Sequence, residues 1–239
     1  MVDGRQRDAE TQLAWARLLV SAFADAGVRH VVLSPGSRST PFVLAASGEE
    51  RLAIHDVIDE RAAGFFALGQ ARESGVPSLL LCTSGTAAAH YLPAVIEAAM
   101  ASIPMLVLSA DRPVELVDCG ANQTIDQLKL FGDHARDFVD LGTASARPGA
   151  LRAARRAAVQ AAWTARWPRA GAVHLTPRPR TPLGAAYVPR PGYPVARRGA
   201  MPDRPAPRPS MPGRRPEAAA LDRLADACRR TERGLLVAG

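Results

Sequence analysis

The sequence is short of lysine, asparagine, cysteine and aromatic side chains, and each shortage removes a class of chemistry. Of 30 basic side chains only Lys129 is a lysine. It follows Leu128, so the Gly-Lys pair of a phosphate-binding P-loop is missing. Schiff-base catalysis would rest on that one residue, with no supporting pattern around it. Cys82, Cys119 and Cys228 form no Cys-x-x-Cys pair, which excludes a zinc framework or a disulfide scaffold and fits a reducing cytoplasm. The five histidines make no ligand pattern, so no metal site is expected within this chain. Aromatic residues are 5% of the chain and are not interleaved with its arginines, which argues against a stacking surface for nucleic acid. Asn122 is the only asparagine.

What is present supports a globular protein. The 239 residues are 47% apolar, enough for a core and incompatible with wholesale disorder. Residues 1–140 hold 11 basic and 18 acidic side chains, whereas residues 141–239 hold 19 basic and 5 acidic ones. The net charge of +7 therefore belongs to the second half. No apolar h-region accompanies Asp3, Asp8 and Glu10, so no signal peptide is expected. Residues 74–96 carry no charge, but Pro77, Thr83-Ser84-Gly85-Thr86, His90 and Pro93 divide them into strand, turn and helix rather than a membrane span.

Hydrophobic periodicity alternates between helix and strand. Helices are expected over 9–26, 41–46, 59–73, 86–100, 124–131 and 148–167, with strands at 30–33, 52–55, 78–82, 105–108, 138–141 and 173–175. Strands apolar on both faces and separated by helices predict a parallel α/β sheet covered on both sides. Residues 177–216 hold 12 prolines and 9 arginines without apolar periodicity, and read as an extended linker. A helix over 217–230 and a strand at 235–237 then begin a second α/β unit, too small to bury a core by itself. The expected organisation is a domain over 1–176, a Pro/Arg-rich linker over 177–216 and the start of a second domain over 217–239.

In parallel sheets ligands bind beyond the carboxyl ends of the strands. Four polar loops should gather there: 34–39, 56–61, 83–86 and 109–123. In Asp59-Glu60-Arg61 the acids complement a helix dipole, or Glu60 offers a carboxylate to a ligand nitrogen. In Ser34-Pro35-Gly36-Ser37-Arg38-Ser39 a helix cap explains a serine, but not Arg38. A guanidinium over a helix start suits a carboxylate. Arg112 repeats that theme after another strand, and Asn122 and Gln123 add neutral donors and acceptors. Thr124 and Gln127 fit a capping box and read as structural. Two arginines and two amides on one edge suggest a polycarboxylate substrate. The orientation of His55 and His90, near that edge, is left open.

The 34–39 string resembles one family, together with Asp59-Glu60-Arg61-Ala62-Ala63-Gly64-Phe65-Phe66-Ala67-Leu68-Gly69 and Thr83-Ser84-Gly85-Thr86-Ala87. Ser109-Ala110-Asp111-Arg112-Pro113 and Asp118-Cys119-Gly120-Ala121-Asn122-Gln123-Thr124-Ile125-Asp126-Gln127 continue the match in order. The family is the thiamine-diphosphate-dependent 2-succinyl-5-enolpyruvyl-6-hydroxy-3-cyclohexene-1-carboxylate synthases of menaquinone biosynthesis, over residues 10–176. The resemblance implies the pyrimidine-binding domain of the thiamine-diphosphate fold. It makes Glu60 the carboxylate that binds N1′ of the aminopyrimidine, so that the 4′ nitrogen can remove the thiazolium C2 proton. It puts Thr83, Ser84, Gly85 and Thr86 beside the pyrimidine, and Ser37, Arg38, Arg112, Asn122 and Gln123 at the substrate edge. The implied substrates are 2-oxoglutarate, which loses CO₂, and isochorismate, which accepts the resulting carbanion equivalent.

The family's Mg²⁺ signature, Gly-Asp followed some 25–30 residues later by Asn, is missing: Gly132-Asp133 is the only Gly-Asp, and Asn122 precedes it. Mg²⁺ is therefore expected to be held by a domain missing from this chain. The complete enzyme is expected to be a homodimer or larger homo-oligomer in the cytoplasm, without nucleic acid or a membrane span, and this chain to be an inactive N-terminal part of it. Thr176 is a departure, since the family usually has Asn after Leu175. The alternatives are another thiamine-diphosphate decarboxylase or synthase, and a non-catalytic binding module with a basic tail.

Overall fold

A computed structural model describes residues 4–184, 210, 213 and 215–235. Contacts divide the chain into two units, 1–208 and 209–239. The first unit is an α/β layer structure. Its strands are β1 (His30–Leu33), β2 (Ala53–Asp56), β3 (Ser78–Cys82), β4 (Met105–Ser109), β5 (Ala135–Gly142) and β6 (Ala172–Pro177). They form one sheet in the order β2-β1-β3-β4-β6-β5, and every pairing is parallel.

The helices are α1 (Gly4–Asp25), α2 (Thr40–Ser47), α3 (Glu60–Ser74), α4 (Thr86–Ala89), α5 (Leu92–Ala101) and α6 (Pro148–Thr164). Because side chains alternate along a strand, β3 divides its residues between two cores. Leu79 and Leu81 join Trp15, Leu19, Phe23, Phe42 and Val159 in the layer under α1, α2 and α6. Leu80 and Cys82 join Ala63, Ala67, Tyr91 and Ala98 under α3 and α5. The second layer is thin because its helices present alanine and glycine. A Cβ on Gly64 would stand 3.0 Å from the Ala94 Cβ, so glycine lets α3 approach α5 without crowding.

The chain leaves β1 toward β2 on one side and leaves β3 toward β4 on the other, which puts the topological switch point between β1 and β3. The loop residue Ser34 extends their pairing, its amide donating to Leu81 O at 2.9 Å.

Several local expectations are corrected. The helix expected over 86–100 is two helices, α4 and α5, with Pro93 in the first turn of the second. The helix expected over 124–131 does not form. Those residues make turns leading to a 3₁₀ turn at Gly132–His134, and the supposed cap residue Gln127 is 1% exposed. Residues 177–184, assigned by composition to the linker, belong to the packed first unit: Pro177 ends β6 and Arg178 is buried. Residues 185–209 lie outside the described residues. In the second unit α7 (Ala218–Arg230) is formed, with Leu221 and Leu224 half exposed. Of the strand expected at 235–237, Leu235 is described without regular structure and the rest lies outside the described residues. No described helix is long and apolar enough to cross a membrane.

Candidate functional site

The carboxyl ends of β1, β2, β3 and β4 bring the four polar loops to one edge of the sheet. The β1 and β3 loops touch. A Cβ on Gly36 would lie 2.4 Å from the Thr83 Cβ, and the Arg38 amide donates to Thr83 Oγ1 at 3.3 Å. Gly36 is extended (φ −176°), so its requirement is space and not backbone freedom. Gly85 differs: at φ +83° it occupies a region that favours glycine, and a Cβ there would meet Gln123 at 2.9 Å.

The loop after β4 folds over this turn. Gln123 Nε2 donates to Ser84 O at 2.9 Å, and Ser84 Oγ donates to Gln123 O at 3.2 Å. Gln127 Oε1 accepts the Gly85 amide at 2.8 Å. The capping reading of Thr124 and Gln127 is thereby replaced: Thr124 Oγ1 donates to Asn122 O, and Gln127 is a buried brace between the β3 and β4 loops.

Two arginines lie at this edge, close enough for the charge of one to act on the other. Arg38 is 7% exposed, its NH1 donates to Pro179 O at 2.8 Å, and its Nε is buried without a hydrogen-bond partner among the described residues. The Arg112 Nε is likewise buried and unpaired, while its NH2 donates to Asn122 O at 2.6 Å. Burial, and then the neighbouring Arg112 charge, lower the pKa of Arg38. Two like charges with unused donors make a receptor for an anion. Ser37, Asn122 and Gln123 are exposed around them, and Asn122 contributes its backbone carbonyl to the Arg112 contact.

Glu60 is the first residue of α3, after the N-cap Asp59, whose side chain accepts the Ala62 amide at 2.8 Å. Asp59 thus takes the capping role and leaves Glu60 free of it. No hydrogen bond or ion pair to the Glu60 carboxylate occurs among the described residues. Its charge acts on the Cys82 thiol at the end of β3 and on the Tyr91 hydroxyl before α5. Burial is the main cause that raises both of those groups, so both stay protonated at neutral pH. The Tyr91 hydroxyl lies beside the Ser34 and Cys82 side chains.

The two open histidines separate. His55 pairs with His30, through His55 Nε2 and His30 Nδ1 at 3.2 Å, and contacts the Phe66 ring of α3, whereas His90 is exposed between α4 and α5. Sequence reasoning missed Gln127, Gln12 and Arg178. Each is a buried polar residue whose partners lie far away in the chain. No group of three or more metal-ligating side chains occurs among the described residues.

Comparison with known proteins finds one matching family model and several curated relatives. The model of the thiamine pyrophosphate enzyme N-terminal TPP binding domain matches residues 14–130. The 2-succinyl-5-enolpyruvyl-6-hydroxy-3-cyclohexene-1-carboxylate synthase of Sorangium cellulosum is 50% identical over 226 residues, covering 95% of this chain and 37% of that protein. The proteins of the same name from Myxococcus xanthus and Halorubrum lacusprofundi are 45% and 46% identical, over 97% and 94% of this chain. The chain spans 37–40% of the length of these relatives.

Proposed function

We propose that the chain belongs, through residues 14–130, to the thiamine pyrophosphate enzyme family and supplies the pyrimidine-binding half of a synthase that decarboxylates 2-oxoglutarate and adds the succinyl unit to isochorismate. The observation that carries the reading is the pair Arg38 and Arg112, whose buried Nε donors have no partner among the described residues. Both substrates are multiply anionic, and two preorganised guanidiniums match carboxylates.

The residues present fit the cofactor. Glu60, at the start of α3, has no hydrogen bond to lose among the described residues, and the Thr83–Thr86 turn lies at the same strand-end edge. When bound, thiamine diphosphate supplies the carbanion chemistry of 2-oxo acid decarboxylation. Glu60 holds a proton between its carboxylate and N1′ of the aminopyrimidine, which makes it the general acid–base group of this chain. The 83–86 turn flanks the pyrimidine. Arg38 and Arg112 bind and orient substrate carboxylates, and Ser37, Asn122 and Gln123 supply neutral contacts around them.

On this reading Mg²⁺ is held by residues outside this chain, and the complete site forms in a homodimer or larger homo-oligomer of the full-length enzyme. A reducing cytoplasm suits the three free cysteines. The test joins the whole 239-residue chain to the C-terminal remainder of a relative and follows CO₂ release from 2-oxoglutarate with thiamine diphosphate, Mg²⁺ and isochorismate. Turnover is expected from the joined enzyme and not from the 239-residue chain alone. A folded joined enzyme that binds thiamine diphosphate but has no isochorismate-dependent turnover would remove the assignment, and turnover by the chain alone would remove the half-site.

A further inference from the structure

From the end of β6 onward the chain reads Thr176-Pro177-Arg178-Pro179-Arg180-Thr181-Pro182, a composition suited to an extended linker. In the fold it is a strap across the site edge. Its three prolines lack amide hydrogens and offer only carbonyl acceptors, and each carbonyl is used. Pro177 O accepts the Asp111 amide at 2.8 Å, Pro179 O accepts Arg38 NH1 at 2.8 Å, and Pro182 O accepts Gln12 Nε2 at 3.0 Å. Between them, the Arg180 amide donates to Gln12 Oε1 at 2.6 Å. A glutamine of α1 thus holds the far end of the strap at two points.

Arg178 is the centre of this arrangement. Its side chain is 6% exposed and pairs with Asp111 Oδ2 at 2.9 Å and Asp140 Oδ2 at 3.1 Å. Its NH1 also donates to Arg112 O at 2.9 Å. Asp111 uses its other oxygen to accept the Arg112 amide at 2.7 Å. The backbone of Arg112 is therefore gripped on both sides, directly through its carbonyl and through Asp111 at its amide. One residue further on, the strap holds Arg38 by its guanidinium.

The grip has a physical purpose. Arg38 and Arg112 repel one another, and an unanchored loop would relax by moving them apart. A receptor whose arginines are already in place spends less of its binding energy on ordering them.

We propose that Arg178 is a positioning residue of the site, fixing the Arg112 loop through Asp111, Asp140 and the Arg112 carbonyl while its neighbour Pro179 fixes Arg38. This rests on the reading that the two arginines receive substrate carboxylates. Lysine cannot replace Arg178, because a single ammonium lacks the planar fork that reaches two carboxylates and a carbonyl together.

The test uses the joined enzyme for kinetics and the 239-residue chain for amide hydrogen exchange. Arg178→Lys should raise KM for 2-oxoglutarate by about tenfold or more, with kcat within about threefold, because ground-state and transition-state binding of the carboxylate are lost together. In the same variant the Arg112 amide should lose about tenfold or more of its protection while the amides of α1 and β3 keep theirs. The double variant Arg178→Met/Asp111→Asn, which leaves neither buried charge unpaired, should behave alike and covers the case of a variant that does not fold. Arg156→Met, an exposed arginine of α6, is the control. If Arg112→Gln raises KM but neither Arg178 variant does, positioning by Arg178 is overturned and the carboxylate reading stands. An unchanged KM in Arg112→Gln overturns both. Loss confined to kcat, or unchanged Arg112 exchange, overturns the positioning role.

Discussion

Gln127 lies 42 residues beyond Gly85, yet its Oε1 accepts the Gly85 amide at 2.8 Å in a fully buried contact. The other end of the same side chain donates to Ser109 Oγ at 3.1 Å. One amide therefore locks the turn after β3 to the end of β4, the two places from which the proposed pyrimidine and carboxylate contacts project. Replacement by leucine removes both hydrogen bonds and strands the Gly85 amide in the interior. Gln127→Leu should lower stability by about 2–3 kcal/mol, read as a lower urea midpoint at unchanged m value.

Crowding at the β1–β3 contact gives a second expectation. A Cβ on Gly36 would meet the Thr83 Cβ at 2.4 Å and its methyl at 2.6 Å. Gly36→Ala should cost about 2–3 kcal/mol by overpacking. Trimming the partner in Gly36→Ala/Thr83→Ala should restore little, because the closest atom is the Cβ that alanine retains. Chemical denaturation of the single and double variants measures both; full recovery in the double variant would relocate the clash.

Glu60 should matter for turnover and little for folding. It lies at the start of α3, where Asp59 already caps the helix. In the joined enzyme Glu60→Gln should reduce isochorismate-dependent CO₂ release by about 100-fold or more, the scale of a lost general acid–base group. Its melting temperature should stay close to that of the parent. Parental turnover would remove Glu60 from the role.

His174 gives the fold a pH dependence. Gln127 donates to Ser109 Oγ, and the Ser109 and Thr176 hydroxyls both lie within hydrogen-bond distance of His174 Nε2, at 2.7 and 3.1 Å. Burial against Phe131 and Phe138 lowers its pKa from 6.5 to about 3. Above pH 6.5 both folded and unfolded chains carry it neutral, and it has no effect on stability. Between 6.5 and about 3 only the unfolded chain binds the proton, so stability falls as the solution is acidified. His174 should contribute a slope of up to about 1.4 kcal/mol per pH unit in that window. Denaturation at a series of pH values should show a smaller slope in His174→Gln; an identical slope would assign the acid sensitivity to other groups.

Legibility in the sequence followed the range of the interaction. The strands β1, β3 and β4 were visible because each is a continuous apolar run, and burial on both faces of a parallel sheet demands that composition. The edge that gathers Arg38, Thr83, Arg112 and Gln123 followed from the parallel direction of the strands. The 124–131 helix failed because its pattern of Thr and Gln matched a cap, while tertiary contacts offered Gln127 better partners. The start of the linker failed for a related reason: Pro and Arg resemble solvated chain until acceptors and acids from β4, β5 and α1 are brought to them.

The sequence by itself determined the alternation of layers, the polar loops at the strand ends and the residue types that could bind anions. These depend on periods of two and 3.6 residues and on turn chemistry, which are local. Only the tertiary structure decided which polar side chains are buried and what they hold: Gln127 to Gly85, Arg178 to Asp111 and Asp140, Gln12 to Arg180. A buried donor or acceptor must find a partner wherever the fold supplies one, and these partners lie 38 to 168 residues away. No local pattern records that distance, so the frame of the site was legible and its bracing was not.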